Sequence, residues 1–178
     1  MNTYIRKESL EDRDAIYNLI KEAFKNEEHS DGDEQNLVTR LRKSPNYIPE
    51  LSLVATEANE IIAHVMLTKL FIDDGKVKHE SLALAPVSVK PEFQNKGIGS
   101  MLIKEALRLS KQMNYKSVFV LGSEKYYPRF GFKESLEFGI KAPFEVPSEN
   151  FMVIELEDKA LENVSGNIIY AKEFFEQN

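Results

Sequence analysis

The chain has 178 residues with a formal net charge of −6 and a composition 42% hydrophobic and 29% charged. That length suits one domain, residues 1–178, around one sizeable core, and the acidic balance disfavours a general nucleic-acid binder, which needs an excess of Lys and Arg on one face. No cysteine is present, so disulfides, thiolate metal sites and Cys nucleophiles are excluded.

The first residues carry no apolar signal segment, and no apolar run reaches membrane-spanning length. A cytoplasmic protein without membrane attachment is expected. His29, His64 and His79 lack metal-ligand spacing, so no metal is expected.

Residues 3–6 open the chain as a strand. Ser9 and Asp12 form an S-x-x-D start signal, and Leu10, Ile16, Leu19, Ile20, Ala23 and Phe24 follow at helical spacing. Residues 26–36 are acidic and polar and read as a loop. Leu37, Val38 and Leu41 mark a second short helix, ended by Pro45. Leu51–Ala55 and Ile61–Leu67 are strand-like runs around a polar stretch, which predicts a hairpin. Asp73-Asp74-Gly75 is a turn, and residues 80–89 form another strand. Pro86 lies inside that strand, and because it cannot donate to a ladder, a bulge or a one-sided edge is expected there. Residues 97–113 place Ile98, Met101, Leu102, Ala106, Leu109 and Met113 on one helical face. Val118–Leu121 is a short buried strand, and the strand–helix–strand order implies locally parallel pairing. A helical turn follows at 126–130, then short strands at 138–140, 151–156 and 167–171. The fold class is α+β, a mixed central sheet flanked by helices.

The segment from Val87 to Ser100 carries the chemistry. A strand ends, a loop follows, and a helix begins near Gly97. The first amides of a helix have no intrahelical acceptor and sit at the positive end of its dipole, which makes an anion site suited to a pyrophosphate. Gly97 and Gly99 let phosphate oxygens approach the backbone. Lys96 adds a cation and Ser100 a hydroxyl donor. A dinucleotide fingerprint fails at Leu102, and a Walker loop is absent.

Gln94-Asn95-Lys96-Gly97-Ile98-Gly99 resembles the Q/R-x-x-G-x-G/A signature of the GNAT superfamily of acetyltransferases. Tyr127-Pro128-Arg129-Phe130-Gly131-Phe132 is similar to that family's second element, Y-x-x-x-G-F. The stretches LALAPVSVKPEFQNKGIGS, VLGSEKYYPRFGF and APFEVPSENFMVIELE, with the helix EQNLVTRLR, look like a YhbS-like bacterial branch, over roughly the whole chain. The resemblance implies the GNAT fold with a splayed strand pair, acetyl-CoA as the donor cosubstrate and an amine as the acceptor. It implies that Val87, Ser88 and Val89 pair with the pantetheine arm, that Gln94, Asn95, Lys96, Gly97, Ile98, Gly99 and Ser100 hold the pyrophosphate, and that Ser123 touches the arm or caps a turn. The family often has Asn near that position, so Ser123 is a departure.

Tyr127 is the implied catalytic residue, a phenol that protonates or hydrogen-bonds the leaving thiolate. Tyr126 reads as packing, and Gly131 and Phe132 as a turn and a core anchor. A lone Tyr is usually a half-buried core aromatic, and only the motif lifts Tyr127 above that reading. Glu80, Glu34, His79, His64 and a water chain stand as alternatives for the general base. The alternative function is a non-catalytic acyl-CoA-binding sensor, and a third reading is a structural domain with a chance motif. Oligomeric state stays open between monomer and homodimer.

Overall fold

A computed structural model describes residues 2–177. The strands are β1 (Thr3–Lys7), β2 (Tyr47–Glu57), β3 (Glu60–Asp73), β4 (Lys78–Val89), β5 (Ser117–Leu121), β6 (Lys133–Glu134), β7 (Ile140–Lys141), β8 (Phe151–Glu155) and β9 (Gly166–Ile169). The helices are α1 (Arg13–Phe24), α2 (Glu34–Leu41) and α3 (Ile98–Gln112). The expected α+β class with a mixed sheet is observed. The chain divides into two compact units. The first gathers the residues up to Thr68, Ala85–Ala106 and the stretch from Lys172 on, and the second takes Lys69–Leu84 and Leu107–Ala171.

In the first unit β1, β2 and β3 are antiparallel neighbours. Arg6 on β1 forks onto Asp12 at 2.6 and 3.0 Å, and Asp12 also accepts the Ser9 N–H at 2.7 Å. These bonds, with Arg6 foremost, hold the Asp12 carboxyl down at about 2. The start signal at Ser9 therefore precedes a short 3-10 turn, Leu10–Asp12, before α1 begins. Ile16, Leu19 and Ile20 form the buried stripe of α1, and α1 packs on α2. Leu10 does not join that stripe: it is exposed, because the 3-10 turn rotates it off the helical face.

The expected β2–β3 hairpin closes on Ala58 and Asn59, both with positive φ, and Glu57 pairs with Glu60. That backbone is the primed two-residue turn that matches strand twist. Arg40 on α2 reaches Asp33 at 2.9 Å and the Glu173 carbonyl at 3.2 and 3.3 Å, fixing the 3-10 turn Lys172–Phe175 against α2.

On α3 the buried residues include Ile98, Leu102, Ile103, Ala106 and Ser110. Met101 and Met113, expected on the apolar face, are exposed. The true stripe follows i, i+4, i+5, i+8; Met101 falls on its solvent side, and Met113 lies one residue past the end of α3.

In the second unit the β3–β4 turn forms as expected. The Asp74 carboxylate accepts the N–H groups of Lys76 and Val77 at 2.8 and 2.7 Å, and Gly75 takes the positive φ. β4 pairs with β5 in parallel, and β5, β8 and β6 continue antiparallel. β9 lies on the end of β3 and carries β7. The strand expected at 138–140 is instead a 3-10 turn, Ser135–Phe138, followed by the two-residue β7. Gly139, with φ +69, turns the chain between them. Phe119 and Phe151, both fully buried, stack at 5.7 Å where β5 meets β8.

Candidate active site

The parallel ladder of β4 with β5 holds Leu82 to Val118 and Ala83 to Phe119, while β4 itself runs on to Val89. The ladder thus stops well short of the end of β4, as a splayed pair requires. The Ala85–Pro86 peptide in this stretch is cis. Val87 and Val89 are half-buried and Ser88 is buried, so one face of the strand end belongs to the core. The Ser88 hydroxyl is buried without a hydrogen-bond partner among the described residues. Lys90 donates its N–H to the Ile62 carbonyl at 2.9 Å, which holds the strand end to β3.

After a 3-10 turn, Pro91–Phe93, the chain enters the glycine loop. Gln94 turns back and donates from its amide to the Val89 carbonyl at 3.1 Å. Asn95 and Gly97 take left-handed backbone, φ 60 and 83, so the loop needs a residue that tolerates this region at 95 and glycine at 97. Gly99 lies inside α3 and makes no such demand. The Met101 N–H closes on the Gly97 carbonyl at 3.1 Å, which leaves the amides of Ile98 and Gly99 in the first turn of α3. Gln94, Asn95, Lys96 and Gly97 are exposed, so this amide-rich bend faces solvent. Lys96 does not point freely outward; its ammonium lies 5.3 Å over the Phe93 ring. All of residues 87–100 lie in the first unit.

Ser123 and Tyr127 lie in the second unit. The Ser123 hydroxyl accepts the Lys125 N–H at 3.1 Å, so it caps the turn that follows. The Ser123 carbonyl accepts the N–H groups of Tyr126 and Tyr127 at 3.1 and 3.2 Å. Tyr127 opens the 3-10 turn Tyr127–Phe130, which ends on Gly131 at φ 103. Its ring meets Tyr126 edge-on at 5.1 Å and Phe132 edge-on at 5.7 Å. Burial, with a smaller push from Tyr126, raises the Tyr127 phenol to about 12. The phenol therefore stays neutral across the physiological range and is a hydrogen-bond donor throughout it. Tyr126 does pack, edge-on to Phe130 and under the Arg129 guanidinium at 4.5 Å.

The general-base candidates separate. Glu80 is ion-paired to Lys69 at 3.5 Å, and the His79 ring hydrogen-bonds the Asp74 carboxylate at 3.0 Å. Glu34 accepts the Ser30 hydroxyl at 2.5 Å on one oxygen, and its other oxygen is buried without a partner among the described residues. His64 is fully buried, and burial pushes it down to about 4 against the pull of Glu8. Its Nε2 lies 3.0 Å from the Ser52 hydroxyl, which donates to Glu8. Glu8 also takes Tyr47 at 3.1 Å and Arg42 at 2.9 and 3.3 Å. The Glu8 carboxyl, penalised by burial, is still held below its ordinary range by Arg42 and Ser52. A Ser, a His and a Glu thus meet in the core, but the serine stands between the other two, so the histidine cannot relay the glutamate's charge to it as in a nucleophilic triad. Asn150, which sequence reasoning missed, bonds Gly122 through both its backbone and its side chain. Among the described residues, no three His, Asp or Glu side chains group to hold a metal ion, and no helix is long and apolar enough to cross a membrane.

The sequence profile of the Acetyltransferase (GNAT) family matches residues 13–132, more than half of the chain and including both motifs. The chain is 34% identical over 121 residues to YjhQ, an uncharacterized N-acetyltransferase of Escherichia coli strain K12; the match covers 66% of this chain and 65% of that relative's length. It is 26% identical over 171 residues to YhbS, another uncharacterized N-acetyltransferase of the same strain, covering 96% of this chain and 97% of YhbS. Among solved structures it is similar to E. coli YhbS in complex with CoA, at a TM-score of 0.88 and 25% identity, covering all of this chain and 94% of that one. A GNAT family acetyltransferase from Brucella melitensis in complex with acetyl-CoA is similar at a TM-score of 0.80 and 28% identity, covering 97% of this chain and 98% of that one.

Proposed function

Because the chain belongs to the acetyltransferase (GNAT) family, we propose that it transfers an acetyl group from acetyl-CoA to a primary amine by direct attack within a ternary complex. The observation that carries this reading is the solvent-facing bend at 94–97, where left-handed Asn95 and Gly97 deliver the first turn of α3. Such a bend suits a pyrophosphate and makes little sense as a mere helix start. The two similar structures hold CoA and acetyl-CoA, which is the ligand this reading assigns to the bend. The pantetheine arm would pair with the backbone of Val87–Val89, the strand end that runs past its ladder.

In the transfer, the amine nitrogen attacks the thioester carbonyl carbon. A C–N bond forms, the C–S bond breaks, CoA leaves as the thiolate, and the proton shed by the nitrogen passes to water or to that thiolate. Tyr127 is assigned to that sulfur. A phenol near 12 is a weaker acid than an ordinary thiol, so it stabilises the thiolate by hydrogen bonding more than by full proton transfer. The chain has no cysteine, so no thioester forms on the protein.

The test is a thermal shift with acetyl-CoA, followed by an amine panel read by thiol release. A ligand at a hundredfold its Kd adds about 2.7 kcal/mol of stability. No shift would sink the reading. A shift with silence across the panel would leave a cofactor-binding module instead.

A further inference from the structure

We propose that Gly122 and Asn150 are positioning residues for Tyr127: a missing side chain at 122 and a two-sided clamp from 150 set where the phenol stands. The inference rests on the role given to Tyr127 above, and it names how the fold holds that residue in place.

The Tyr127 ring lies directly on Gly122. A Cβ at 122 would stand 2.3 Å from Cε2, 2.9 Å from Cδ2 and 3.4 Å from Cζ of the ring. Carbon atoms in contact sit at about 3.5–4.0 Å, so the observed ring position and any side chain at 122 exclude each other. The backbone at 122 makes no such demand: its φ is not in the left-handed region, unlike Gly131 or Gly139. Glycine is needed here for space, not for conformation. Nor can the ring slide aside freely. Tyr126 and Phe132 stand edge-on to it, and Phe130 lies tilted at 6.3 Å.

Asn150 fixes the floor under the ring. Its carbonyl accepts the Gly122 N–H at 2.9 Å, and its Nδ2 donates to the Gly122 carbonyl at 3.0 Å. The same Nδ2 reaches Glu124 at 2.8 Å. Both backbone groups of Gly122 are therefore held by one residue. The next residue, Ser123, carries the carbonyl that accepts the Tyr127 N–H. Asn150 ends a 3-10 turn and leads into β8, whose Phe151 pairs with Leu121 and stacks on Phe119. The position of the phenol is thus transmitted from the β5–β8 ladder through Asn150 to Gly122 and Ser123, and then to the ring. An acid that assists a leaving group must lie within hydrogen-bond reach of it, and a misplacement of about 1 Å costs on the order of 100-fold in rate. Alanine at 122 forces a displacement of roughly that size.

The experiment is a four-enzyme cycle: wild type, Gly122→Ala, Tyr127→Phe and the double variant, with kcat and the KM for acetyl-CoA measured under conditions where chemistry limits the rate. Gly122→Ala should lower kcat about 100-fold with the KM for acetyl-CoA within about twofold of wild type. Added to Tyr127→Phe it should cost nothing more, because residues acting as a unit are not additive. Asn150→Asp keeps the shape, removes the amide donor and guards against a misfolded alanine variant. It should lower kcat about tenfold alone and not at all beside Tyr127→Phe, with Asn150→Gln recovering part of the loss. If Tyr127→Phe is slow but Gly122→Ala keeps the wild-type kcat, or if the double variant loses the product of both effects, the clamp is overturned. If Tyr127→Phe itself turns over at the wild-type rate, the role of Tyr127 fails first and the inference with it.

Discussion

Two polar groups, one buried and one half-buried, are treated in opposite ways. The Glu8 carboxylate, in the first unit, is surrounded by donors from Arg42, Tyr47 and Ser52. The Tyr127 hydroxyl, in the second, makes no hydrogen bond to any described residue, while its ring is hemmed by aromatics and Gly122. A satisfied carboxylate holds its surroundings and has nothing left to offer a ligand. An unengaged hydroxyl on a fixed ring stabilises little by itself and keeps its donor for a partner that arrives later. The first group should therefore answer to tests of stability, and the second to tests of rate.

The sharpest way to break this contrast is to cross the readouts. Arg42→Ala leaves a buried carboxylate with one charge uncompensated. It should cost about 3–5 kcal/mol in urea unfolding, with kcat of the folded fraction unchanged. Tyr127→Phe should do the reverse, lowering kcat about 100- to 1000-fold while stability moves by less than about 0.5 kcal/mol. A Tyr127→Phe variant that unfolds early and turns over normally would reverse the assignment.

A smaller effect is expected where a backbone, not a side chain, makes the site. Gly97→Ala puts a Cβ on a residue at φ 83, a strain of about 1–2 kcal/mol. Relief of that strain should distort the bend and weaken acetyl-CoA about tenfold in a titration, with no fall in kcat at saturation.

The mildest test is pH. His64 is held near 4 by burial, below its ordinary 6.5. The unfolded chain therefore binds the extra proton first, and its contribution to stability is whole above pH 6.5 and lost as pH falls toward 4. The slope is at most about 1.4 kcal/mol per pH unit for one such group. Glu8, held below its ordinary range, adds to the loss in more acid solution. Urea midpoints across pH 7 to 4 should show this slope in wild type and a shallower one in His64→Gln.

The glycine bend, the hairpins and the Tyr127 turn were legible because each is local: a few neighbouring residues decide a positive φ or a helix start. The Glu8 cluster was not, because its partners lie 34, 39 and 44 residues away and become neighbours only through folding. Ser52 reads as the polar face of an alternating strand, yet it is fully buried because β2 is covered on both faces through its middle. The hydrophobicity of Met101 and Met113 pointed inward; helix phase turns Met101 outward, and α3 ends before Met113. Asn150 carried no signal either. An asparagine beside Pro147 and Ser148 looks like any loop residue until β8 brings it to Gly122.

The division of the chain has a consequence for inheritance. The first unit is written in three separate stretches, and the second fills the gaps between them. The glycine bend is encoded in one unit and the Tyr127 segment in the other, and β3 and β4 each pass from one unit to the other in mid-strand. No single crossover in a gene could exchange one unit whole, and a cut at either shared boundary would sever a strand. Variation at this pair of features is therefore expected to accumulate by point substitution, and chimaeras joined at Thr68 or Leu84 should fail to fold where chimaeras joined between α1 and α2, in residues 26–33, succeed.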